Sequence, residues 1–190
     1  FVAGMIYRVV YWAKSPVPFH ITTTCGQQKS LPWIKHSKIE NPSTTFWVIV
    51  RMLLEVFLFR SLFRNTTTQL QKEGPRVVYA SSYWLWAFSL VFHWSFLFIL
   101  LRHLRLFTDP VPGFVLAIQK VDGILEMGVP VLYLTGVLLV AGGAYLFLRR
   151  LFSPQLRYIS LASDYFPLLL ILAIGITGIF IRYFAKTDVM

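Results

Sequence analysis

The chain has 190 residues, of which 56% are hydrophobic, 17% aromatic and only 14% charged, a balance outside the range of soluble domains. Its formal charge of +10 does not describe a nucleic-acid binder, because the Lys and Arg residues sit in short segments between apolar runs, as the positive-inside rule expects of a membrane protein. One cysteine, Cys25, excludes an internal disulfide and a cysteine-ligated iron–sulfur cluster within these residues.

The opening residues 1–12, FVAGMIYRVVYW, resemble the second half of a spanning helix rather than a signal peptide, and Lys14, Ser15, Pro16 and Pro18 end it. Residues are expected to be missing at both ends of the chain. Residues 13–81 read as a cytoplasmic basic region. Its first part sets Lys14, Lys29, Lys35 and Lys38 against one acid, Glu40, and suits a docking loop for another subunit. His20, Cys25 and His36 lie there without a second cysteine or clustered carboxylates, so no metal site is expected. A helix over 45–63 follows, with Arg51 and Glu55 four apart on one face. It reads as interfacial or shallowly re-entrant on the cytoplasmic face, since spanning would split the positive charge of the region between both sides of the membrane.

A polar connector leads to a spanning helix over 82–107, which enters through an aromatic belt of Tyr83, Trp84 and Trp86 and runs from inside to outside. Next comes an outer loop with Lys120 against Asp109, Asp122 and Glu126. A second spanning helix is expected over 130–148, with Gly136, Gly142 and Gly143 allowing close helix contact. A cytoplasmic loop with Arg149, Arg150 and Arg157 joins it to a third, over 166–184. There Asp164 favours the start, Pro167 fits the first turn and Gly175 and Gly178 serve packing. The fold class is thus an all-α membrane protein, a single multi-pass helix bundle in the inner (cytoplasmic) membrane in contact with lipid. No Walker loop, dinucleotide fingerprint, HExxH or nucleophile elbow is present.

The functional information is concentrated in two histidines of the first spanning helix. An ionisable side chain in hydrocarbon marks a functional site with a partner. His93 and His103 are ten residues apart, which on a helix is ~15 Å along the axis and ~80° around it, so they serve two sites at two depths. Imidazole is a common axial ligand of haem iron, and bundle cores build such sites from facing helices. Two b-type haems stacked across the bilayer is one reading, with Arg102 and Arg105 placed to pair haem propionates. The other is a pair of structural histidines bonded to neighbouring helices, with the arginines snorkelling to the interface. Bis-histidine ligation needs four imidazoles, and the remaining two, His20 and His36, are in a loop, so the second ligands are expected outside these residues.

The histidine pair, the Gly-rich helix ending LFLRRLFSPQLR and the run ASDYFPLLLILAIGITGIFIRY resemble the gamma subunits of respiratory nitrate reductases, membrane dihaem cytochromes b and quinol oxidases. The blocks TTCGQQKSLPWIK, RMLLEVFLFRSLFRNT, FHWSFLFILLRHLR and RYISLASDYFP resemble more closely the DsrM family, cytochrome b subunits of DsrMKJOP complexes in sulfate-reducing prokaryotes. The resemblance implies two haem b groups with His93 and His103 as the first ligand pair, and menaquinol or menaquinone as mobile substrate at the outer side. It also implies electron transfer to a cytoplasmic iron–sulfur partner resembling DsrK, which is heterodisulfide-reductase-like, with the other DsrMKJOP subunits alongside and DsrC downstream. Nitrate reductase gamma subunits have a lysine near the quinol site; Lys120 is the nearest candidate here, at a different distance from the histidine. The alternative is a non-redox membrane anchor or scaffold subunit whose basic region docks a soluble partner.

Overall fold

The computed structural model describes residues 2–13, 33, 36–70, 77–123 and 131–185. His20, Cys25 and the lysines 14, 29 and 35 of the expected docking loop lie outside the described residues, as do Glu126 and residues 186–190. His36 is described and half-buried. The chain divides into two compact units, residues 1–57 and 58–190.

In the first unit, helix α1 covers Val2–Ala13 and helix α2 starts at Thr45 and ends at Leu58. α2 therefore stops five residues short of the expected 45–63. At ~1.5 Å per residue, its 14 residues reach ~21 Å, less than the ~30 Å of a hydrocarbon core. Arg51 donates to the backbone carbonyl of Glu40, tying the helix to the turn before it.

The second unit opens at the corner that stops α2. Phe59 sits in the left-handed region, with φ 49° and ψ 47°, and a short helix α3, Arg60–Phe63, follows. The stretch expected to be a plain connector contains an antiparallel hairpin, strand β1 at Thr66–Leu70 and strand β2 at Val77–Ser81, with Thr66 opposite Ser81. The Thr, Val and Tyr content of these segments suits strands. Ser82 N–H donates to the Asn65 carbonyl at 3.3 Å, so the hairpin closes where it began and sets α3 beside the start of the next helix.

That helix, α4, runs Tyr83–His103 and continues as a 3₁₀ turn to Leu106. Helix α5, Gly113–Asp122, stands where the outer loop was expected. Its Val115 is fully buried and Asp122 nearly so; seven residues apart, they lie on one helical face, which is what anchors it. Helix α6 covers Leu134–Phe152, starting and ending four residues later than the expected 130–148. The loop after it holds one more short helix, α7, Pro154–Ile159, started by a proline in its first position. Helix α8 runs Ala162–Phe180 and ends in a π-helical turn, Ile181–Ala185. It begins four residues before the expected start because Asp164 caps it there: its Oδ2 accepts the Leu161 N–H at 2.9 Å. Pro167 consequently lies inside the helix rather than in its first turn.

Among the described residues, three segments are long and apolar enough to cross a membrane: Tyr83–Leu106, Leu134–Phe152 and Ala162–Ala185. α6 packs between α4 and α8. Its glycines explain the closeness: a Cβ on Gly142 would lie 3.1 Å from Phe92 Cβ and 3.3 Å from Phe92 Cα, and one on Gly143 would lie 3.0 Å from Leu172 Cδ2. Gly175 meets Val140 in the same way, whereas Gly178 faces open space. Large apolar side chains such as Leu169, Leu170 and Ile174 remain exposed on α8, as suits a helix whose surroundings are lipid or other helices rather than water.

Candidate functional site

The site is built on α4. His93 and His103 are both exposed on the described bundle. His93 Nδ1 lies 2.7 Å from the Ser89 carbonyl oxygen, and His103 Nδ1 lies 2.7 Å from that of Ile99. A carbonyl only accepts, so Nδ1 carries the hydrogen and donates in both rings, which leaves the lone pair of the neutral imidazole on Nε2. A ligating histidine typically donates its other ring nitrogen to a backbone carbonyl in this way. The donor chemistry therefore fits a haem iron ligand twice over.

The surroundings of His93 are aromatic. Its ring makes perpendicular contacts with Phe59, centroids 5.0 Å apart at 85°, and with Phe92, at 5.2 Å and 86°. Both partners are held from elsewhere. Phe92 is buried and wedged against Gly142 and Gly143 of α6. Phe59 is held through its neighbours: Trp86 Nε1 donates to the Leu58 carbonyl at 2.7 Å, and the Phe63 ring packs on Trp86 at 4.9 Å and Tyr83 at 5.2 Å. A left-handed conformation costs a residue with a Cβ ~1–2 kcal/mol, so the corner is kept by these contacts.

Arg102, next to His103 in the chain, belongs to a polar cluster. Arg102 and Asp122 form a salt bridge whose side chains are 14% and 4% exposed. Asp122 also accepts the Thr135 backbone N–H at 2.8 Å and its hydroxyl at 2.6 Å, so one carboxylate joins α4, α5 and the start of α6. The Arg102 guanidinium lies 3.7 Å from the Tyr133 ring centroid, and that of Arg182, from the end of α8, 4.4 Å from the same centroid. The Tyr183 hydroxyl accepts from Tyr133 N–H at 3.0 Å and donates to the Val131 carbonyl at 3.1 Å.

Of the residues singled out in the sequence, His93 and His103 are both exposed on α4, ten residues apart. Arg102, read there as a propionate partner, has its charge engaged by Asp122. Arg105 is exposed and donates to Gln119 Oε1 at 3.3 Å. Lys120 is exposed on α5. Sequence reasoning missed Phe59, Phe92, Asp122, Tyr133 and Thr135. The seven-residue interval from Val115 could have revealed Asp122 as buried; nothing in the local sequence marks the left-handed Phe59.

A bundle of membrane-spanning helices, one of which displays two imidazoles at different depths, is the architecture of a membrane cytochrome b. The nitrate reductase gamma subunit family model matches residues 43–190, and the chain belongs to that family. It is 46% identical over 191 residues to the Hdr-like menaquinol oxidoreductase cytochrome b-like subunit of Archaeoglobus fulgidus. It is 44% identical over 192 residues to the subunit of the same description from Archaeoglobus profundus. Each match takes in 99% of this chain but 56% of the relative, so the chain spans about half the length of the curated relatives it matches. No solved structure matches it.

Proposed function

We propose that this chain is the electron-conducting membrane subunit of a menaquinol- or menaquinone-linked oxidoreductase complex, with two haem b groups ligated through His93 and His103. The observation that carries the reading is the pair of Nδ1 hydrogen bonds to Ser89 and Ile99, which leave Nε2 of both exposed rings as the ligating atom. The names of the two Archaeoglobus relatives supply the quinol and the Hdr-like complex. When bound, each haem iron supplies one-electron chemistry; the chain sets its position, its axial ligand and the polarity around it.

In this reading His93 serves the inner haem and His103 the outer one. Arg105 takes an outer propionate, Arg102 being held by Asp122, and exposed Lys120 on α5 faces the quinone headgroup. The second imidazole of each haem comes from a further helix. Lys38 and Arg64 belong to the basic cytoplasmic region, which docks an iron–sulfur subunit of the heterodisulfide-reductase kind, resembling DsrK, with DsrC receiving the electrons. The complex then belongs to dissimilatory sulfur metabolism in the cytoplasmic membrane.

A reduced-minus-oxidised spectrum of the purified protein is expected to show a b-type band, and its absence would sink the proposal in favour of a non-redox anchor. His93→Ala and His103→Ala are each expected to remove about one of two haems. Unchanged haem content in either variant refutes that ligand.

A further inference from the structure

The described residues contain one non-glycine residue with a positive φ, Phe59, and its ring touches His93. A strained backbone is more often found where a site depends on it than where only the chain must turn. Glycine would occupy this left-handed position without cost, yet here the residue is one of the largest. The corner is locked onto the first turn of α4 by the Trp86 indole on the Leu58 carbonyl and by Phe63 packed on Trp86 and Tyr83. From that anchor the Phe59 side chain reaches His93, two helical turns beyond Trp86.

We infer that Phe59 is a positioning residue for the His93 imidazole: the strained corner exists to press an aromatic ring edge-on against the ligand. The inference rests on the reading of His93 as a haem ligand. Three contacts restrain that ring: Nδ1–H to Ser89 and the perpendicular rings of Phe92 and Phe59. The Nδ1–H bond fixes which nitrogen is left to ligate and limits rotation about Cβ–Cγ; the two aromatic rings support the imidazole in that orientation. Phe92 is held by the neighbouring spanning helix and Phe59 by the corner, so the supports come from two independent elements. Phe59 also places hydrocarbon beside the ligand, and an apolar neighbour disfavours the oxidised, positively charged haem.

The test compares Phe59→Asn, Phe59→Gly and Phe59→Tyr in the full-length protein within its complex, with His93→Ala beside them. Asn and Gly both accept the left-handed backbone and remove the ring; Tyr keeps the ring. The expected result is that Asn and Gly shift the low-spin electron paramagnetic resonance signal of one haem and lower its midpoint potential, leave the other haem unchanged, and that Tyr restores both values. Spectra and potentials that stay at wild-type values in Asn and Gly, while His93→Ala loses a haem, overturn the inference and leave the function standing. So does an equal shift of both haems, which reports a general change of packing. If His93→Ala keeps both haems, the ligand assignment itself has failed.

Discussion

The two histidines of α4 have the same local chemistry and different neighbours. Each donates Nδ1–H to the carbonyl four residues earlier, a contact that any helix offers. Beside His93 the Phe59 ring comes from the corner, and Phe92, next to it in the chain, is packed on glycines of α6. Next to His103 in the chain, Arg102 is drawn into a buried salt bridge with Asp122 of α5, which also holds Thr135 of α6. Under the proposed function the two ligands thus have chain neighbours of different polarity, and polarity around a haem is one of the levers on its potential.

The contrast can be broken from either end. The largest effect is expected from Asp122→Ala, which leaves the Arg102 guanidinium buried without its carboxylate; removing one partner of a buried pair costs about 3–5 kcal/mol. Thermal unfolding of the detergent-solubilised protein should show this loss, and the haem of His103 should change its spectrum before that of His93. Adding Arg102→Leu to Asp122→Ala should recover part of it, since the orphaned charge is then gone. The exposed pair Arg150 and Asp164, 3.9 Å apart with side chains 34% and 43% exposed, serves as the control, with an expected contribution of about 0–1 kcal/mol.

Gly142→Ala attacks the aromatic end. The added methyl meets Phe92 at both Cβ and Cα, and backbone cannot move aside, so overpacking of about 1–3 kcal/mol is expected, with the perturbation confined to the His93 haem. A Gly142→Ala protein in which the His103 haem shifts instead would reverse the assignment of the two environments. Trp86→Phe is smaller: it keeps the ring but loses the hydrogen bond to the Leu58 carbonyl, worth about 0.5–1.5 kcal/mol. It should loosen the Phe59 corner without touching the ionic end.

The smallest effect is expected from Lys120→Ala. An exposed charge is worth at most about 1 kcal/mol, so KM for a menaquinol analogue should rise about fivefold or less while haem content and both spectra stay as they were. Loss of a haem in this variant would show that Lys120 acts on the cofactor rather than on the quinone.

The three spanning helices, the two histidines and their ten-residue interval were legible in the sequence, because hydrocarbon imposes a length and a composition that show in one dimension. So was the need for close packing at Gly142 and Gly143, where a missing Cβ has only a few uses. α5 escaped notice because its apolar face is short and its polar residues resemble a loop; its burial against the bundle is what makes it a helix. The hairpin at Thr66–Leu70 and Val77–Ser81 likewise had the right residues, yet its pairing is a relation between two segments.

What the sequence by itself determined is the pair of groups that cannot be placed in hydrocarbon without a purpose, His93 and His103, with Arg102 and Arg105 beside them. Which side chains meet them or one another was decided by the tertiary structure alone. Arg102 looked available until α5 brought Asp122 to it, and Phe59 looked like one more apolar residue until the hairpin closed and set its ring against His93. The physical reason is the same in both cases. Desolvation costs are set by residue type and can be read along the chain, whereas the contacts that offset them join residues 20 and 34 positions apart, a separation that no local pattern records.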